Sequence, residues 1–142
     1  MSEVFFCDTA EDDALKYAVI VSRYKGKWVF CRQKGRNTYE LPGGHREHGE
    51  NIEETARREL YEETGAARFR LAPVGVYGVR EDSGEVTYGM LYFAEIQEFF
   101  KLPDSEMECI QFFDGVPGEL TWPEFQPALL HRVEEALGEE TV

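Results

Sequence analysis

Apolar positions along the chain fall into two kinds of pattern. Tyr17–Tyr24 (YAVIVSRY) and Trp28–Arg32 (WVFCR) are short runs dense in β-branched and aromatic residues, separated by Lys25-Gly26-Lys27. Such runs around a turn predict a hairpin. Two longer strand-rich stretches, Arg70–Arg80 and Val86–Glu98, flank the turn-like Glu81-Asp82-Ser83-Gly84, and a short strand is expected at Cys109–Phe113. Phe125, Leu129, Leu130, Val133 and Leu137 instead recur at helical spacing, which predicts an amphipathic C-terminal helix over Glu124–Leu137. Between these, Gln33–Thr38 is polar, and Leu41-Pro42-Gly43-Gly44 is expected to interrupt regular structure. Asn51 is placed to cap a helix, with Glu54 as its capping-box partner; the helix should run to Thr64 and stop at Gly65. Strands and helices intermingle without regular alternation, so the fold class expected is α+β with a mixed sheet. The length of 142 residues suits a single domain over 1–142, with an acidic N-terminal segment at 1–14.

The predicted central helix carries the most telling side chains. Glu59, Glu62 and Glu63 stand at i, i+3 and i+4, within an arc of about 100° on a helix. Ile52, Ala56 and Leu60 form the adjoining apolar arc, and Glu63 points into it. Three like charges so placed repel, and partial burial adds a desolvation cost. Either some of the acids are protonated or a cation binds among them. Clustered carboxylate oxygens suit a hard ion such as Mg²⁺ or Mn²⁺. The plainer alternative is a solvated acidic face with weak pairs such as Glu54–Arg58.

Charge narrows the choice of partners. The chain has 15 Lys plus Arg against 28 Asp plus Glu, a formal net charge of −13. A surface of that sign repels DNA, long RNA and anionic membranes. A phosphate ligand would therefore need positive charge from outside the chain, and a divalent cation supplies it. Cys7, Cys31 and Cys109 are odd in number and widely spaced, which argues for free thiols rather than a disulfide framework or a zinc site. The N-terminus has no secretory pattern and no apolar run reaches the ~20 residues of a membrane span, so a cytoplasmic protein is expected.

Gly44, Glu50, Arg58-Glu59-Leu60, Glu62-Glu63, Gly65 and Ala66 fit the Nudix box, G-x5-E-x7-R-E-U-x-E-E-x-G-U, with U a bulky aliphatic residue. Only Ala66 departs, being smaller than the usual final residue. Chance produces such a match with probability on the order of 10⁻⁵ even in a Glu-rich chain. The sequence thus resembles the Nudix hydrolases, in their MutT-like branch, and the likeness extends from the first strand pair to the C-terminal helix. The resemblance implies a Nudix α/β/α sandwich with a mixed β-sheet, in which 44–66 form a loop–helix–loop. It implies Mg²⁺ (or Mn²⁺) held by Glu59, Glu62, Glu63 and the carbonyl of Gly43, with Arg58 and Glu50 as an ion pair orienting the helix. It also implies hydrolysis of a nucleoside diphosphate linked to X. Glu59 is the first candidate for the base that takes the proton of water. Glu106, in Pro103–Glu108, is the candidate outside the box, with Glu81, Asp82 and Glu85 as alternatives.

Secondary markers of the ADP-ribose, dinucleoside-polyphosphate, coenzyme A and NADH branches are missing, which leaves (d)NTPs or oxidised dNTPs as substrates. The base-reading residues of the MutT branch do not carry over: Leu41 replaces an aromatic, and Trp122–Pro127 lacks the expected asparagine motif. Another Nudix substrate (ADP-ribose-like, a dinucleoside polyphosphate or an RNA 5′ end) and a non-catalytic nucleotide sensor stand as alternatives, and the oligomeric state, a homodimer included, is left open. His45 and His48 read as loop histidines and His131 as structural or solvated. Tyr39, Tyr77, Tyr88 and Trp122 read chiefly as packing residues, Cys31 as strand packing, and Arg32, Arg36 and Arg80 as weak candidates for phosphate contact.

Overall fold

A computed structural model describes residues 3–140. Seven strands form one mixed sheet: β1 (Glu3–Cys7), β2 (Leu15–Tyr24), β3 (Lys27–Gln33), β4 (Gly43–His45), β5 (Ala66–Arg80), β6 (Val86–Phe99) and β7 (Met107–Phe113). Two helices accompany them, α1 (Ile52–Thr64) and α2 (Gln126–Glu140). The strand order is β1-β5-β6-β2-β3-β7, with β4 added alongside β2. Among the described strands only β2 and β6 pair in parallel; the other strand pairings are antiparallel.

The helices cover opposite faces of the sheet, and β2 shows how one strand serves both. Side chains alternate across a strand. Ala18 and Ile20 accordingly pack with Ala56 and Leu60 of α1, while Val19 and Val21 pack with Leu129, Leu130 and Val133 of α2. Burial on both faces explains the unbroken apolar run over residues 17–21 within this strand. Leu60 is fully buried, so its truncation to alanine removes roughly 2–5 kcal/mol of stability. The α/β/α sandwich expected from the resemblance is the fold observed.

The described structure departs from the sequence reading in two places. Leu41–Gly44 does not end regular structure: Gly43–His45 forms β4, pairing Val19, Ala18 and Tyr17 with Gly43, Gly44 and His45. Proline precedes this strand, so its missing N–H falls outside the ladder, and the Pro42 carbonyl still accepts from Ile20 N at 2.9 Å. The acidic N-terminal segment contains β1, an edge strand on β5, and a 3₁₀ turn at Asp12–Ala14. Elsewhere the elements lie within a few residues of their expected bounds, β5 starting earlier at Ala66 and β7 at Met107. Among the described residues no helix is long and apolar enough to cross a membrane.

Candidate active site

The site is built where β4 meets α1. One edge of β2 is shared: its first half pairs with β4 and its end with β3. That arrangement brings the two glycines of β4 against the acidic face of α1. Gly43 N–H donates to Glu63 Oε1 at 2.8 Å. A Cβ on Gly44 would lie 2.5–2.6 Å from the carboxylate atoms of Glu59, so only glycine leaves room for that side chain. The helix itself is firmly started and stopped. Asn51 and Glu54 form the reciprocal capping box, and Gly65 ends the helix at φ 80°.

Arg58 organises the acids. Its Nε and Nη2 donate to the two oxygens of Glu50 at 2.6 and 3.0 Å, in a bidentate pair. Its Nη1 reaches Glu59 Oε1 at 2.7 Å and Glu62 Oε2 at 3.3 Å, and Nη2 also donates to the His45 carbonyl at 3.0 Å. Glu50 accepts two further bonds, from Glu47 N–H and the Thr55 hydroxyl, both at 2.9 Å. The Arg58 contacts hold the Glu50 carboxyl down at about 2, while its acid partners push Arg58 further above its ordinary value.

Glu59 and Glu63 are held in the opposite sense. Burial raises the carboxyl of Glu59, against the lowering effect of Arg58, with Glu62 and Glu47 adding to the rise. Burial likewise pushes Glu63 up to about 8; the Gly43 N–H opposes this, and the charges of Glu59, Glu40 and Glu106 reinforce it. Two desolvated carboxyls beside the half-exposed Glu62 form a hard oxygen donor set short of positive charge. Among the described residues no three His, Cys, Asp or Glu side chains already converge on one point, and Arg58 holds an oxygen of both Glu59 and Glu62. The donors fit a Mg²⁺-type ion by chemistry, with Arg58 as the group that would have to yield.

The remaining candidates divide clearly. The exposed Glu106 acts electrostatically on both Glu63 and Glu40, and its carbonyl accepts from Lys34 N at 2.9 Å. Glu81, Asp82 and Glu85 lie at the exposed tip of the β5–β6 hairpin and are not among the leading influences on Glu59 or Glu63. The His45 ring packs against Tyr17, centroids 4.1 Å apart; His48 and His131 are exposed. Tyr77 is core, Tyr39 packs on Phe113, and Tyr88 meets Phe5 edge-on. Arg80 lies over Phe5, and Arg32 donates to the Arg36 carbonyl. Cys31 is buried, its thiol donating to the Glu40 carbonyl.

Two residues escaped the sequence reading. Glu40, only 7% exposed, accepts from Trp122 Nε1 at 3.1 Å through one oxygen, while the other has no hydrogen-bond partner. Burial raises its carboxyl, with Glu106 reinforcing and Trp122 and Arg36 opposing. Its neighbour in sequence, the Leu41-Pro42-Gly43-Gly44 stretch, was the only available signal. Arg46 binds the box loop to the start of β2, and nothing in the sequence marked it.

Comparison with known proteins agrees with this architecture. Residues 14–139 match the NUDIX domain family. A protein of Bacillus subtilis (strain 168), YtkD, provisionally named an 8-oxo-dGTP diphosphatase, is 36% identical over 102 residues, covering 72% of this chain and 63% of its own length. The chain thus spans less than two thirds of that relative. The pyrophosphohydrolase BsRppH of Bacillus subtilis superposes with a TM-score of 0.77 at 29% identity, over 95% of this chain and 90% of that one. A MutT NUDIX hydrolase of Burkholderia pseudomallei shares the fold, with a TM-score of 0.65 at 23% identity over 82% of this chain and 95% of that one. Its sequence, its sandwich and its box together place the chain in the Nudix family.

Proposed function

We propose that the protein is a divalent-metal-dependent pyrophosphohydrolase of a nucleoside diphosphate linked to X, acting on (d)NTPs or oxidised dNTPs to release a nucleoside monophosphate and pyrophosphate. The observation that carries this reading is the glycine-floored turn of α1, where Glu59 and Glu63 are desolvated beside Glu62. Glu59, Glu62 and Glu63, with the Gly43 carbonyl, would hold Mg²⁺ or Mn²⁺. When bound, such an ion neutralises the diphosphate, lowers the pKa of water and stabilises charge on the leaving oxygen.

The chain's own residues supply the rest. Glu50 holds Arg58 through Nε and Nη2, and Arg58 Nη1 keeps Glu59 and Glu62 ordered until a cation would take over their shared oxygens. Of the two base candidates, Glu106 suits the task better. Glu59 is 13% exposed and bonded to Arg58, whereas the exposed Glu106 is free to take the proton of the attacking water while influencing Glu63. The substrate reading draws support from the name of YtkD and from the missing markers of other branches. The net charge of −13 favours small nucleotides over long nucleic acid.

A screen of nucleotides with Mg²⁺ in ¹⁸O-water tests the proposal. Label in the nucleoside monophosphate or in pyrophosphate identifies the phosphorus attacked, and the rate profile identifies the base. Tight nucleotide binding without release of phosphate or pyrophosphate would support a sensor instead.

A further inference from the structure

We propose that Arg46 is a positioning residue: it clamps the box loop to the segment ahead of β2 and so sets the affinity of the Glu59–Glu62–Glu63 turn for a divalent cation, an inference that rests on those acids being the metal-binding turn. All three guanidinium nitrogens of Arg46 are engaged. Nε donates to the Glu50 carbonyl at 2.7 Å, Nη1 to the Asp12 carbonyl at 2.7 Å and the Leu15 carbonyl at 3.4 Å, and Nη2 to Asp12 Oδ2 at 2.9 Å. Its own N–H donates to the Lys16 carbonyl at 2.8 Å. The side chain is only 20% exposed, although the loop it serves is open to solvent at Glu47, His48 and Gly49. Gly49 turns at φ +85° with nothing packed against the position of a Cβ. At Arg46 the loop is located by hydrogen bonds.

Glu50 is the link to the acids. Its carbonyl is fixed by Arg46, its carboxylate grips Arg58 at 2.6 and 3.0 Å, and Arg58 reaches Glu59 and Glu62. Carbonyls from two separate points, Asp12 and Leu15, close the far side of the clamp, so the N-terminal segment becomes part of the site's support. A planar, five-donor guanidinium satisfies this set, and a lysine ammonium satisfies only part of it. Without the clamp the acids are less ordered beforehand, and cation binding must order them. Loss of such indirect support typically costs about 10- to 100-fold in metal affinity.

The test is direct Mn²⁺ binding to the full chain, read from the paramagnetic resonance signal of free ion, with melting temperature alongside. Arg46→Met is expected to bind Mn²⁺ about tenfold more weakly than wild type, and Arg46→Lys to fall between them. The Mg²⁺ concentration giving half-maximal turnover should rise in parallel, while KM for the nucleotide at saturating Mg²⁺ changes less than about twofold. Lys27→Met, which breaks a surface pair with Asp114, serves as the control for a lost charge. A folded Arg46→Met with wild-type Mn²⁺ affinity overturns the proposal, because a purely structural residue would lower only the melting temperature. Should Arg46→Met fail to fold, Arg46→Lys decides: about threefold weaker binding supports the role, and unchanged binding overturns it. A wild type that binds no Mn²⁺ is a different result and removes the metal-site reading itself.

Discussion

Gly44 and Glu59 fit together with no room for a methyl group: a Cβ on Gly44 would fall 2.5 Å from the Glu59 carboxyl carbon. The obstruction is the end of a flexible side chain, so Gly44→Ala should fold, with Glu59 pushed aside. Turnover is expected to fall by about 100-fold or more, since misplacement near 1 Å has that effect. Gly43→Ala differs in kind. Its Cβ would sit 2.5 Å from the Ala18 carbonyl oxygen, which is backbone and cannot swing away. A drop in melting temperature for Gly43→Ala but not for Gly44→Ala, measured by calorimetry, checks the contrast.

Glu59, Glu62 and Glu63 should not be equivalent to ordinary surface glutamates. Glu62→Gln and Glu63→Gln are each expected to abolish metal-dependent turnover with the fold intact, because an amide oxygen carries no charge for a hard cation. Full activity in both variants, or in wild type with excess chelator, contradicts the proposal.

Stability and pH are linked through Glu63 and Glu50 with opposite signs. Glu63 is raised to about 8 in the folded chain from an ordinary value near 4.5, so the folded state keeps a proton the unfolded state has lost. Its contribution is complete below about 4.5 and disappears as pH climbs toward 8. Glu50 is lowered to about 2, so its contribution is complete above about 4.5 and disappears as pH falls toward 2. In chelator, the melting temperature of wild type should therefore decline between pH 5 and 8 relative to Glu63→Gln. At pH 6.5, cation uptake should release close to one proton, visible in calorimetric titrations run in buffers of different ionisation enthalpy.

Trp122 and Glu40 are joined by an indole N–H bond of 3.1 Å across 82 residues. Trp122→Phe removes the indole hydrogen bond to the buried Glu40 carboxyl and is expected to cost about 1–3 kcal/mol by chemical denaturation. Glu40→Gln in the same background should recover part of the loss, since an amide carries no charge to bury. No recovery would show that the indole acts through packing alone.

What the sequence disclosed follows the range of the interactions involved. The α1 caps, the hairpin of β2 and β3, and the acidic stripe at i, i+3 and i+4 are local, and they read correctly from neighbouring residues. β4 was missed because two glycines carry no strand signal; its strand character comes from pairing with β2, where Tyr17 meets His45 across 28 residues. β1 was missed because Val4-Phe5-Phe6 is a short apolar run in an acidic segment, and its partner lies at the far end of β5. In the site, spacing showed that Glu59, Glu62 and Glu63 share one face of α1, while their role as a metal-binding turn came from the resemblance and is a proposal. Glu40 looked like any polar residue beside a turn; the contacts that mark it, the indole N–H of Trp122 and a bridge to Cys31 of β3, come from elsewhere in the chain.

The most direct measurement is anomalous diffraction from crystals soaked in Mn²⁺. The account predicts a peak on the α1 turn, about 2.1 Å from carboxylate oxygens of at least two of Glu59, Glu62 and Glu63, with Arg58 withdrawn from the bound oxygens. A turn left without a peak at saturating Mn²⁺, with Arg58 still bonded to Glu59 and Glu62, would contradict it.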